Sequence, residues 1–252
     1  MSKRRSKSQG RSNGRYYVLG GAVVVVAAVA LVFLSGALSG HVATTTTASS
    51  SASSSTSSTK PIILYVNQGN GVVNQSNFGD LLSTATSHGF NTIFFQVYRS
   101  EDLLFTTSQL TWFVQQAHAQ GLQIFFALYF TASNQTIPTS IYSDGQDGIS
   151  LDMSTLSSTA QTSLFDQLSS GYSGKTSITT TDTTLSLKPD LLVVETYDEP
   201  ADEQYIHSGM IAGVEVVATT SKQDYQQQVQ YALANSDGVM VFDYAGLVKS
   251  GY

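Results

Sequence analysis

Residues 61–130 alternate strand, helix, strand, helix, strand, and this alternation limits the fold more than any other feature of the chain. Residues 61–67 read PIILYVN, 92–95 read TIFF and 122–130 read LQIFFALYF. Between these runs, Phe78, Leu81, Leu82 and Ala85 recur at helical spacing, as do Leu110, Phe113, Val114 and Ala117. Ser76 or Asn77 can cap the first helix and Ser108 the second, and Gly89 and Gly121 stop them. Strands joined by helical crossovers make a parallel sheet. Strands so continuously apolar belong where both faces are covered.

Beyond residue 131 the same alphabet continues with gaps. Residues 148–154 (GISLDMS) read as a strand and 158–171 as a helix, whereas 173–189 are Ser/Thr-rich and give no clear element. Strands follow at 189–200 (PDLLVVETYDEP) and 208–220 (SGMIAGVEVVATT), then a capped amphipathic helix at 221–238 and a last strand at 238–247 (GVMVFDYAGL). That makes seven strands, with room for an eighth between 131 and 189. Two folds fit: a (β/α)8 TIM-barrel-like domain, whole or incomplete, and an open doubly wound sheet. Residues 60–252 come close to the size of a barrel, about 200 residues. A dinucleotide-binding sheet needs a Gly-rich phosphate loop after its first strand, and GNG at 69–71 is too little. The barrel is therefore the expected fold.

The segment before it is of another kind. Residues 1–17 carry Lys3, Arg4, Arg5, Lys7, Arg11 and Arg15 and no acid, and residues 18–38 (VLGGAVVVVAAVALVFLSGAL) are almost wholly apolar. An apolar helix of about 20 residues matches the hydrocarbon thickness of a bilayer. A secretory h-region is shorter, about 7–15 residues, so an uncleaved transmembrane anchor is expected, with cleavage near residues 37–40 as the alternative. The basic tail stays cytoplasmic and the C-terminal domain extracellular. Residues 39–59 form a linker whose stretch 44–59 holds 14 Ser/Thr and 2 Ala, too polar to bury a core. Asn74 and Asn134 lie in N-glycosylation acceptor patterns, in keeping with an outside location.

All 18 acids lie in residues 60–252, with six bases (Lys60, Arg99, Lys175, Lys188, Lys222, Lys249), a net charge of −12. Such a surface repels nucleic acid. There is no cysteine, so there is no disulfide and no thiolate metal site. The four histidines are scattered without ligand spacing, and no metal or cofactor is expected; His88 and His118, each near a helix C-terminus, read as structural.

In a barrel, the C-terminal ends of the strands form the working face. Here they turn polar: Asn67-Gln68, then Gln96, Tyr98 and Arg99, then Tyr129, Asp152, Glu195 with Tyr197, Glu215, and Asp243-Tyr244. The segments SHGFNTIFFQVYRSEDLLF and FVQQAHAQGLQIFFALYF resemble the front of glycosyl-hydrolase-like barrel families, in which Gly-x-Asn-Thr opens the second strand and Ala-His-x-x-Gly-Leu leads into the third. DGVMVFDYAGL resembles their last strand. This resemblance implies a domain that acts on or recognises carbohydrate.

Glycoside hydrolysis uses two carboxylates flanking the scissile bond. Glu195 and Glu215 are the candidate catalytic pair, because each follows β-branched residues, where a charge is costly without a purpose. Alternation puts Val193, Glu195 and Tyr197 on one face, and Gly213, Glu215 and Val217 on one face. Glu215 could instead pair with Arg99 or Lys222. Gln96, Tyr98, Arg99, Tyr129, Tyr197 and Asp243 are candidate substrate-binding residues. Arg99, the outer domain's only arginine, could clamp a carboxylate or pair with Glu101 or Asp102. Gln96 and Arg99 differ in parity, so a regular strand cannot aim both inward. Asp243 could cap the next turn, and Asp152 could be a strand end entering a helix.

Two functions follow: a membrane-tethered extracellular glycoside-hydrolase-like enzyme, or a non-catalytic glycan-binding or envelope protein on a degenerate barrel. The topology is checked by protease added to intact cells. The outer domain should be removed and the basic tail protected; protection of the outer domain would overturn it.

Overall fold

The computed structural model describes residues 59–69, 72–132, 135–196, 205–217 and 219–251. The expected cytoplasmic tail and membrane span, and nearly all of the linker, lie outside them, as do Asn134 and Tyr197. Among the described residues no helix is long and apolar enough to cross a membrane.

The strands are β1 (Ile62–Val66), β2 (Thr92–Arg99), the two-residue β3 (Asp102–Leu103), β4 (Gln123–Tyr129), β5 (Gly148–Asp152), β6 (Lys175–Thr180), β7 (Leu191–Glu195), β8 (Ile211–Glu215) and β9 (Gly238–Phe242). Eight of them are parallel and close into a barrel, because β1 pairs with β2 on one side and β9 on the other. β3 is an antiparallel turn-back on β2. Among the described residues five α-helices flank the barrel: α1 (Phe78–Ser87), α2 (Thr107–Ala119), α3 (Ser158–Gly171), α4 (Lys222–Asn235) and α5 (Tyr244–Ser250). Among its described residues the connection from β4 to β5 has only a 3-10 turn, Thr139–Ile141, and that from β6 to β7 has no helix. The barrel is whole, and its ring of helices is incomplete among the described residues.

Three expectations need correction. The unassigned stretch 173–189 contains β6, KTSITT, whose Thr176 to Thr180 are buried although four of the five are hydroxyl residues. The last strand ends at Phe242 rather than 247, because Asp243 caps α5, its Oδ1 accepting from the Gly246 amide at 2.9 Å. Helix α2 is capped by Thr106, not Ser108, in a reciprocal box with Gln109.

The apolar strand residues divide by parity. Leu64, Ile93, Phe95, Ile124, Phe126, Val214 and Val241 join the layer under the helices, and Ile63, Tyr65, Phe94, Phe125, Ala127, Val193, Ile211 and Met240 cluster in the lumen. Asn91 fastens the rear of the barrel. Its Oδ1 accepts from the Ile62 amide and its Nδ2 donates to the Lys60 carbonyl.

Register fixes the height of every lumen residue. The pairings Tyr65↔Phe94, Phe94↔Phe125, Phe125↔Gly148 and Gly148↔Lys175, continued through β7, β8 and β9, return to β1 eight residues before Tyr65. That stagger is the one expected for eight parallel strands, and it stacks side chains from alternate strands in layers of four. From the rear forward the layers are Ile63, Phe125, Ser177, Ile211; then Phe94, Ser150, Val193, Met240; then Tyr65, Ala127, Thr179, Gly213. All twelve are buried.

Gly246 shows how tightly α5 is docked. A Cβ there would overlap the backbone carbonyl oxygen of Val216. Gly246→Ala should therefore cost about 1–3 kcal/mol of stability through overpacking, checked by denaturant titration; an unchanged midpoint would contradict the docking.

Candidate active site

The next layer up changes character. It consists of Gln96, Asp152, Glu195 and Phe242, and the rim above it of Asn67, Tyr129, Thr181 and Glu215. Gln96 and Asp152 are buried, whereas Glu195, Phe242, Asn67, Tyr129 and Glu215 are half-buried. The lumen therefore passes from apolar packing to hydrogen-bonding groups within two layers, at the C-terminal ends of the strands.

Glu195 and Glu215 both have lumen parity, on neighbouring strands. Glu195 is level in register with Gly213, two residues before Glu215. A strand spacing of about 4.8 Å and a rise of about 3.3 Å per residue separate their Cα atoms by roughly 8 Å. Both acids engage neighbouring groups.

Asp152 is the third acid and the most enclosed. The Tyr65 hydroxyl donates to its Oδ2 at 2.8 Å, and the Ser154 hydroxyl to its Oδ1 at 3.2 Å. Burial pushes its carboxyl above the ordinary value of 3.8, and the bonds from Tyr65 and Ser154 oppose that shift only in part. Tyr65 was missed in the sequence because it stands in a strand body, IILYV, where an aromatic reads as packing. Its ring does pack, 5.2 Å from that of Phe242.

A bulge in β2 resolves the conflict between Gln96 and Arg99. The register with β4 shifts between Gln96 and Tyr98, so Gln96 pairs with Ala127 and Arg99 with Tyr129. Both therefore share the lumen side. Gln96 Oε1 accepts from the Gln68 amide, and Gln68 Oε1 from the Val73 amide, which pins the loop after β1. The Arg99 guanidinium lies 5.7 Å over the Tyr129 ring and packs against Gly69, where a Cβ would overlap it. It is a rim cation stacked on an aromatic. The turn into β3 puts Ser100 and Glu101 at φ 52° and 74°.

The remaining candidates are not at the mouth in the same way. Tyr98 is turned to the helix layer, its ring 5.3 Å from Phe130 and its hydroxyl donating to the Thr136 carbonyl at 3.4 Å. Burial, then Glu101 and Asp102, raise its phenol above 10.0. Asp243 is buried and caps α5. Tyr197 lies outside the described residues. Among the described residues no group of three His, Cys, Asp or Glu could hold a metal ion. His118 bonds Asp147 at 2.8 Å, away from the lumen layers.

The sequence matches no protein-family model and no curated protein. Its fold is similar to that of a putative dihydrodipicolinate synthetase from Pseudomonas aeruginosa, at 10% identity over 77% of this chain and 73% of that one, with a TM-score of 0.51. It is also similar to a xylanase and alpha-amylase inhibitor protein solved with trehalose, at 11% identity over 76% and 96%, TM-score 0.50. A maltogenic alpha-amylase from Thermotoga neapolitana aligns at 10% identity over 75% and 68%, TM-score 0.48. At these identities the likeness shows the fold alone: the chain is a TIM-barrel-like α/β protein.

Asp152 gives a test of the site's electrostatics. The folded state holds its proton more tightly than the unfolded chain does, so its contribution to stability is fully present below the unfolded value and is lost as pH rises toward the folded one. Asp152→Asn keeps the shape and removes the charge. Relative to wild type, the variant should gain stability as pH rises from about 4 to 7. Urea titrations at both ends of that range check this, and a gain that shrinks with pH would refute it.

Proposed function

We propose that the domain is a glycoside-hydrolase-like protein, tethered to the outer face of a membrane through residues 18–38 and acting on a polysaccharide or glycan. The observation that carries this reading is the placement of Glu195 and Glu215 on the lumen side of adjacent strands at the barrel mouth. Paired-carboxylate hydrolysis uses carboxyl groups about 5–10 Å apart, one giving a proton to the leaving oxygen and the other acting as nucleophile or as base for a water. The backbone separation is compatible with that range. Tyr129 with Arg99 stacked on it offers a flat rim against which a sugar ring can lie.

A second reading has its own support. Gln96 and Asp243 are occupied with scaffold hydrogen bonds, and Tyr98 packs under the helices. Among the described residues the polar equipment left for a ligand is small, as in a degenerate barrel that binds glycan without cleaving it. The two readings separate in one experiment. Glu195→Gln and Glu215→Gln should each lower hydrolysis by roughly 10³-fold, as loss of acid or base catalysis does, with folding and glycan binding kept. Glycan binding without turnover in wild type would favour the binding protein. Loss of folding in either variant with activity spared would make that acid structural.

A further inference from the structure

Ser150, Ser177 and Thr179 are fully buried inside the barrel, and their hydroxyl groups have no hydrogen-bond partner among the described residues. Register sets Ser150 beside Ser177 and Asp152 beside Thr179. The four side chains form one polar stripe down the wall made by β5 and β6, through four successive layers. In the three lower layers the stripe is flanked by apolar and aromatic residues, among them Phe94, Phe125, Ala127, Val193, Ile211 and Met240. Val193 and Ile211 show that β-branched apolar residues suit this lumen. Three dry hydroxyls in their place would each carry the full cost of an unmet hydrogen bond.

The stripe has two ends. At the front is Asp152, faced by the Tyr65 hydroxyl from β1, Tyr129 from β4, Thr179 from β6, Ser154 from the following loop, and Glu195 from β7 in the same layer. At the rear, one turn of the β6 pleat below Ser177, Lys175 lines a depression of about 460 Å³ together with Thr92, Gln123, Phe125 and Leu191. A hydroxyl can both donate and accept, so a column of hydroxyls suits a ligand that does the same. Buried water typically makes about three such bonds to groups of this kind.

We propose that this stripe holds a file of ordered water molecules running from the rear depression to Asp152, so that the acid at the mouth exchanges its proton through the back of the barrel. Each transfer moves one proton along the file as another is taken up behind it, with no net change in the waters. The path stays open when a ligand covers the mouth. It does not depend on the ligand's being a glycan.

The test uses the full-length chain. The infrared band of a protonated carboxyl group, assigned by its loss in Asp152→Asn, is followed after transfer into deuterium oxide. Thr179→Val keeps the side chain's shape and removes a hydroxyl, and Ser177→Val fills the rear of the stripe. Each should slow exchange of that band by about tenfold, the effect on a barrier of one lost hydrogen-bonded link. A crystal structure of the wild type should show water between the hydroxyls, and the variants should lose it. Should Ser177→Val fail to fold, Thr179→Val alone decides. Unchanged exchange in the folded variants, no carboxyl band lost in Asp152→Asn at any pH, or hydroxyls bonded to backbone with no water between them would overturn the proposal.

Discussion

Closure of β1 between β2 and β9 is the constraint on which the rest depends. It removes both edges of a parallel sheet, and with the eight-residue stagger it fixes which residues share a level in the lumen. Without closure, Glu195 and Asp152 would be separated along an open sheet with β6 between them. With it, they share a layer, and Glu215 lies one layer above. The bonds that hold the closure are partly side-chain bonds at the rear: Asn91 to β1, and the Lys60 ammonium to the carbonyls of Leu233 and Ser236.

The front and rear are also unlike in polarity. The twelve residues of the three lower layers include only Ser150, Ser177, Thr179 and the Tyr65 hydroxyl as hydrogen-bonding side chains, while the two upper layers carry three carboxyl groups, two amides, a phenol and a hydroxyl. A buried charge without a partner is expensive. The deepest acid is met by neutral donors rather than by a base: Asp152 accepts from a phenol and an alcohol, and burial raises its carboxyl. The acids nearer the rim keep partial access to water, which solvates an ionised form.

Much of this was legible in the sequence, and for physical reasons. Strands such as LQIFFALYF are read easily because their two buried faces both demand apolar residues. β6 was not, since its lumen face is Ser177 and Thr179 and only Ile178 serves the helix layer. A strand whose interior face is polar looks like a linker until its neighbours are known. The parity of Glu195 and Glu215 followed from simple alternation, and the structure keeps it. The parity of Arg99 did not, because a bulge adds one residue that no local pattern announces. Asp243 stood at a strand end and read equally as ligand contact or cap; the helix that begins at Tyr244 makes it a cap.

The bulge in β2 has a consequence for what the mouth can do. It lets one short strand end supply both a scaffold bond and a rim cation: Gln96 holds the loop after β1, and Arg99 reaches back over Tyr129 to cover Gly69 of that same loop. A side chain longer than glycine at position 69 would displace the guanidinium. The rim on the β1–β4 side is therefore an aromatic and cationic shelf, while the acids stand on the β5–β8 side. A ligand in this mouth meets a flat stacking surface opposite carboxyl groups. An anion drawn to Arg99 would face Glu195 and Glu215 across the lumen.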